Sequence, residues 1–443
     1  MRFLRVTLAA VLVLAPVLPA RAWVPERTPH RDADSAAATL TSRPAARGAV
    51  PGIVIARGGV TLLSLNATRA MTPASLMKLA TTTAAMLRFG PTHRFQTRVT
   101  AIRTGRASAV SDLYLVGGGD PTLATEAYRR ARFLPKPTDT IKRPAFASGS
   151  PTIEQLAARV AASGIRAVRG DLVADDTLFD AVRTQQGWLP SYLGPEPDTG
   201  LLSALTVNEG RGDLRGKTIV DSPTTAAAQA LRTALGARGV TVAGKVRAGR
   251  APRAAVTVGR VTSPPLAQMV DFINRYSVNY HAELLLKSLG ASFGGAGTTA
   301  AGARIVREAL TAEKIPLDGF RMLDGSGLSL LDRATPRTIA ALLNRILTGK
   351  GAAWAALRAS IPAAGEPGTL LRRMTAAPTG GNLRGKTGQV KGVRAMAGWV
   401  TASDGIPIVY VAVFNNAAHP FTLTAPLDLF GLLLARYPDS GSR

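Results

Sequence analysis

The chain has 443 residues, 46% hydrophobic and 19% charged, and its 54 Lys and Arg against 28 Asp and Glu leave a formal net charge of +26. That length exceeds one ordinary compact domain, so two or three domains around a large core are expected. The absence of cysteine excludes disulfides, thiol catalysis, Cys-based metal sites and lipid attachment at a cysteine. At the N-terminus, Met1-Arg2-Phe3-Leu4-Arg5, an apolar run from Val6 to Ala20 and the triplet Ala20-Arg21-Ala22 have the layout of a secretory signal over residues 1–22. The run is short for a bilayer and is broken by Pro16 and Pro19, which speaks against a retained anchor. Export in turn speaks against nucleic acid as the partner of so basic a chain.

Pro29 to Arg47, rich in Ala, Arg and Pro, shows no usable periodicity and is expected to form a flexible linker within residues 23–49. Ile53 to Arg57, Gly58-Gly59 and Val60 to Leu65 predict a hairpin. Thr72-Pro73-Ala74 leads into a helix from Ser75 to Arg88, stopped by Gly90-Pro91, with Ser75 in its first turn. From Thr97 to Gly259 short alternating strands such as Arg98 to Ile102, Asp112 to Val116 and Gly170 to Ala174 are separated by Gly, Pro and Asp turns, the texture of inserted β-rich domains. Helical patterns return at Pro265 to Leu289, Ala300 to Leu310 and Pro336 to Leu347. Two strands follow, Val393 to Thr401 and Ile406 to Asn415, then a helix from Leu423 to Arg436, so an α/β sandwich interrupted by an insert is expected.

Three short motifs carry chemistry. Ser75-Leu76-Met77-Lys78 puts a hydroxyl and an amine on one helix face, and a lysine stripped of water can take the proton of a neighbouring serine. Ser277-Val278-Asn279 offers a hydroxyl for proton relay and a carboxamide for a substrate amide; alone it reads as a helix N-cap. Lys386-Thr387-Gly388 is expected on a sheet edge facing the Ser75 helix, supplying a cation, a hydroxyl for a carboxylate and close access to the backbone. Gly380 to Thr387 also fits the phosphate-cradling G-x-x-x-x-G-K-T, but no buried strand precedes it and a β pattern follows. Gly290-Ala291-Ser292-Phe293-Gly294 fits G-x-S-x-G but trails a helix and reads as a C-terminal glycine cap. His30, His93, His281 and His419 are dispersed, so no metal and no cofactor are expected.

In that order the three motifs form the triple of penicillin-binding proteins and class A β-lactamases. With Leu65-Asn66-Ala67, Gly117-Gly118-Gly119-Asp120-Pro121, Leu202-Ser203-Ala204-Leu205, Ala282-Glu283 and Asp324-Gly325-Ser326-Gly327-Leu328-Ser329, the chain resembles the class C low-molecular-mass penicillin-binding proteins, serine D-Ala-D-Ala carboxypeptidases and endopeptidases. The long interval between Ser75 and Ser277 leaves room for inserted domains that the β-lactamases lack. The resemblance implies an α/β fold of the serine β-lactamase/DD-peptidase type, an antiparallel sheet flanked by helices, built from residues 50–96 and 262–443 with 97–261 inserted.

It further implies Ser75 as nucleophile, Lys78 as its base, Ser277 as proton relay, and Asn279 as a substrate-backbone ligand. Lys386 and Thr387 would bind the terminal carboxylate beside Gly388, and the N–H groups of Ser75 and Gln389 would meet the oxyanion. Peptidoglycan stem peptides are the implied substrates, β-lactams the covalent inhibitors and anionic wall polymers a further partner of the basic surface. A β-lactam hydrolase and a non-catalytic wall-binding protein are the alternatives. The sequence departs from the pattern at Gln389, where Ser or Thr usually follows K-T-G, at Leu330, where Arg is frequent, and at Ser191, where Asp is common. The last two belong to a pocket that grips the side-chain end of the stem peptide in some relatives, and Glu196 and Asp198 on the same loop are either substitute partners for an amine or solvated acids.

Overall fold

The computed structural model describes residues 31–437 except 104, 106 and 134–148, and the signal expected at 1–22 lies outside them. The apolar run from Pro407 to Asn415 is buried on both faces, as a strand with layers on each side must be. Its alternate residues serve different cores: Val409, Val411 and Val413 pack among helices Met77–Phe89 and Pro336–Thr348. Ile408, Tyr410, Ala412 and Phe414 meet helix Thr424–Ala435 on the other side. It sits third in a five-stranded antiparallel sheet in the order Arg384–Val390, Val393–Thr401, Pro407–Asn415, Val50–Arg57, Val60–Leu65. The strand that carries Lys386 is therefore an edge.

The expected linker is partly structured. Residues Arg31–Thr41 form a helix followed by a 3-10 turn, Pro44–Ala46, and Ala33, Ala36, Ala37 and Leu40 are buried against helix Thr424–Ala435. Those four stand at i, i+3, i+4 and i+7, a helical stripe whose alanines are too small to stand out from an alanine-rich background.

Residues from Gln96 to Thr262 make a second sheet in the order Val256–Thr262, Gln96–Ala101, Leu113–Val116, Leu172–Asp175, Val246–Ala248, and Thr262 pairs with Gln96, so the segment leaves beside the point where it enters. The first two pairings are antiparallel and the last two parallel. Parallel pairing needs crossovers, and two helices absent from the expectation, Ile153–Ala162 and Pro223–Gly236, supply them and cover the sheet. A small parallel sheet of Ala109–Val110, Ala167–Val168 and Thr241–Val242 completes this part. The helical pattern from Pro265 to Leu289 is broken into helices Leu266–Tyr276 and Asn279–Phe293, and the break falls at Ser277 and Val278; Ser277 closes the first helix, and Val278 takes the N-cap position of the second.

Candidate active site

Ser75 lies in a 3-10 turn, Ala74–Leu76, that feeds helix Met77–Phe89, rather than in the first α-turn. The preceding Ala74 adopts a left-handed φ of +50°. Such a conformation costs a non-glycine residue about 1 kcal/mol and persists only where the surroundings enforce it. Two glycines let backbone close on this turn. A Cβ on Gly327 would stand 1.9 Å from Ala74 O, and one on Gly388 would stand 3.0 Å from Pro73 O. The loop from Asp324 to Ser329 and the edge strand thus clamp the turn from two sides.

Lys78 is fully buried, and its ammonium donates to Ser75 Oγ at 2.8 Å, Asn279 Oδ1 at 2.7 Å and the Ser326 carbonyl at 2.7 Å. Burial brings its pKa down from 10.5 to about 7, against the opposing pull of Asp324, Glu283, Asp198 and Asp332. Asn279 reaches Lys78 although 201 residues separate them, and its Nδ2 donates to the Asp198 carbonyl at 3.0 Å. Ser277 ends helix Leu266–Tyr276 at a left-handed φ of +60°, which turns its hydroxyl to receive Lys386 Nζ at 2.8 Å. Lys386 is also buried and donates to the Thr387 carbonyl at 2.8 Å. Burial and then the charge of Lys78 hold its pKa well below that of a free lysine. Two hydrogen-bonded groups from three distant segments, Ser75–Lys78–Asn279 and Ser277–Lys386, therefore meet at one site.

The acids beneath the cluster also arrange the loop. Asp324 accepts from the N–H groups of Ser326, Gly327 and Ser329 and from Trp188 Nε1 at 2.8 Å, while Glu283 accepts from those of Gly325 and Ser326. Burial, and next the charge of Asp324, raise the pKa of both Glu283 and Asp332. These contacts hold the Ser326 carbonyl against Lys78. His281 is buried elsewhere, with Nε2 2.9 Å from Glu209 Oε1. Ser292 lies in the last turn of helix Asn279–Phe293, closed by Gly294, and the G-K-T match lies on a strand followed by another strand.

A cleft of about 690 Å³ opens over Ser75, Ser277, Asn279, Thr387 and Gln389, with Tyr192, Leu328 and Asp198 also among its lining. Asp198 is therefore at the cleft, whereas Glu196 is exposed and paired with Lys217 at 2.8 Å. Ser191 is exposed, and Leu330 packs with Trp188 and Tyr192 while its carbonyl accepts from Arg333 at 2.8 Å. Among the lining residues that sequence reasoning missed are Arg373, Arg394 and Phe421. Arg394 faces Gln389 across the strand pair, a relation that only the register reveals.

A family model described as D-Ala-D-Ala carboxypeptidase 3 (S13) matches residues 33–218 and 212–431. The D-alanyl-D-alanine carboxypeptidase of Actinomadura sp. (strain R39) is 32% identical over 89% of this chain and 82% of that protein. Carboxypeptidase DacB of Mycolicibacterium smegmatis is 30% identical over 78% of this chain and 72% of its own length. The crystal structure of penicillin binding protein 4 (dacB) from Haemophilus influenzae superposes with a TM-score of 0.75 at 20% identity, covering 91% of this chain and 99% of that one, and so shares the fold. With two matches that together span nearly all of its described length, the chain belongs to the D-Ala-D-Ala carboxypeptidase 3 (S13) family.

Proposed function

We propose that the protein is a serine D-Ala-D-Ala carboxypeptidase that trims peptidoglycan stem peptides through an acyl-enzyme on Ser75. The observation that carries this reading is the buried Lys78 hydrogen-bonded to Ser75 Oγ with a pKa near neutrality. In its neutral form Lys78 takes the hydroxyl proton as Ser75 Oγ attacks the carbonyl carbon of the penultimate D-Ala. The N–H groups of Ser75 and Gln389 receive the oxyanion, fixed dipoles that need no reorganisation as charge develops. Ser277, bridged to Lys386, relays the proton that Lys78 has taken to the departing D-Ala amine, which returns Lys78 to its neutral form, and Asn279 holds the substrate backbone. Lys386 and Thr387, beside Gly388, bind the terminal carboxylate. Water then attacks the ester, with Lys78 again accepting a proton. Membership of a cell-wall peptidase family fits export through residues 1–22, and the charge of +26 fits a further affinity for anionic wall polymers.

β-Lactams present a strained amide and a carboxylate to the same groups, and a second structure of the Haemophilus influenzae protein is described as complexed with a β-lactam. Mass spectrometry after incubation with a penicillin tests the assignment. One acyl group on the Ser75 peptide is expected, with none on Ser75→Ala. An adduct on Ser292, or none at all on the wild type, would sink it.

A further inference from the structure

Thr387 and Gln389 are two residues apart on the edge strand, so their side chains share one face of the sheet. Behind each stands a guanidinium. Met396 pairs with Thr387, and Arg373 reaches Met396 Sδ, while Arg394 pairs directly with Gln389 and donates to its Oε1. The two arginines differ in charge compensation. Arg373 is bound to Asp428, with Nε 2.9 Å from Oδ1. Among the described residues Arg394 donates to neutral acceptors alone, Gln389 Oε1 and Thr424 Oγ1 at 2.7 Å, and its Nε is buried with no hydrogen-bond partner there. A half-buried guanidinium ordinarily has a carboxylate. Burial and the charge of Arg373 lower its pKa to about 10, against the opposing pull of Asp428, which is hydrogen-bonded to Arg373 and not to Arg394.

Arg394 lines the same cleft as Ser75, together with Lys391 and Phe421, and among the described residues the lining holds one acid, Asp198, which makes no hydrogen bond to Arg394. Phe421 is 70% exposed, and the Arg394 guanidinium lies 5.8 Å from its ring centroid. With an exposed aromatic ring and a guanidinium that no carboxylate bonds directly among its lining, the cleft of about 690 Å³ has far more room than the methyl side chain of a departing alanine needs.

We propose that Arg394, with Phe421 as its apolar rim, forms a subsite for a second anionic group on the leaving residue, beyond the terminal carboxylate. The substrate class is a peptide whose departing amine belongs to an acidic amino acid or to a longer segment that carries an extra carboxylate there. This rests on the acyl-enzyme reading and on Thr387 marking the leaving side. The bond chemistry is unchanged: the amide C–N bond breaks, the leaving amine gains a proton, and water restores the acid. What changes is which leaving group is held.

The test uses the full mature chain and diacylated peptides ending in D-Ala-D-Ala, D-Ala-D-Glu, D-Ala-D-Gln and D-Ala-D-Lys. One charge-assisted hydrogen bond predicts a kcat/KM for D-Glu about tenfold or more above its neutral isostere D-Gln. The preference should collapse to within about twofold in Arg394→Met, survive in reduced form in Arg394→Lys, and shrink with added salt. Cleavage of the D-Ala peptide without any preference for D-Glu over D-Gln would overturn the subsite, as would a preference that persists in folded Arg394→Met. Should the Met variant fail to fold, the wild type decides alone: D-Glu must exceed D-Lys, and equality or reversal refutes the proposal. Failure to cleave any of the peptides, with no penicillin adduct on Ser75, would instead reject the acyl-enzyme reading and take the subsite with it.

Discussion

The lowered pKa of Lys78 makes the pH dependence of acylation a direct test of its role. At pH 7 a lysine at its ordinary 10.5 would be neutral in about one molecule in 3,000, whereas at about 7 it is neutral in roughly half. Burial therefore raises the base-competent population about a thousandfold. The neutral fraction grows with pH, so the rate must climb on the acid side: tenfold per pH unit below 7, levelling above it. At pH 5 the rate should be about a hundredfold below the plateau. Lys386 contributes a second limb of opposite sign, because its charge is useful to a carboxylate and is lost as pH rises through a pKa held well below 10.5. The result is a bell. The assay is the second-order rate constant for labelling Ser75 with a fluorescent penicillin between pH 5 and 10, with folding checked at each pH. A flat profile from pH 5 to 8, or a rise centred near 10, would refute a neutral Lys78 as the base.

Two further outcomes follow from packing and burial. Gly327→Ala would force a Cβ against Ala74 O at a φ of +80°, so a loss of about 2–4 kcal/mol and slowed labelling of Ser75 are expected. Unchanged thermal stability would contradict the close approach. Asp120 is buried with Oδ2 unpartnered, and burial pushes its carboxyl up to about 6 from 3.8. Between those values the folded chain keeps a proton that the unfolded chain has released, so stability falls as pH rises through the window and the cost persists above it. Asp120→Asn keeps the Oδ1 acceptor for Thr122 and removes the charge, and should stabilise by about 1–3 kcal/mol at pH 7, with the gain vanishing near pH 4. Thermal melts at the two pH values decide, and a lower Tm at pH 7 would show that the carboxylate is needed.

What was readable in the sequence was local. Each of the three motifs is contiguous, so its residues share a face or a turn whatever the rest of the chain does, and the two-faced strand Pro407–Asn415 announces itself as an unbroken apolar run. A helix start at Ser277 was legible, but its left-handed conformation was not, because glycine or asparagine usually signals one. Helix Arg31–Thr41 was hidden by alanine, which fills a core position without looking apolar among other alanines. The acids Glu283, Asp324 and Asp332 acquire meaning only when the loop folds over Lys78, and Arg394 only when strand register sets it beside Gln389. Relations between distant segments are made by packing, and no spacing along the chain encodes them.

The strand Arg384–Val390 ends its sheet, and only Val393–Thr401 is hydrogen-bonded along its length. Its other margin is occupied at one end, where Gly385 N–H donates to the Pro362 carbonyl, and the stretch from Thr387 onward lies beside the cleft, where an extended peptide could be added as a further strand. Recognition of that kind works as a ruler. A slip of one residue turns every side chain to the opposite face, and a slip of two moves the peptide by about 6.6 Å. On the proposed reading, a peptide anchored by its terminal carboxylate at Lys386 and Thr387 would present only one carbonyl to Ser75, and the site of cleavage would be set by counting from the end of the substrate and not by the side chains along it.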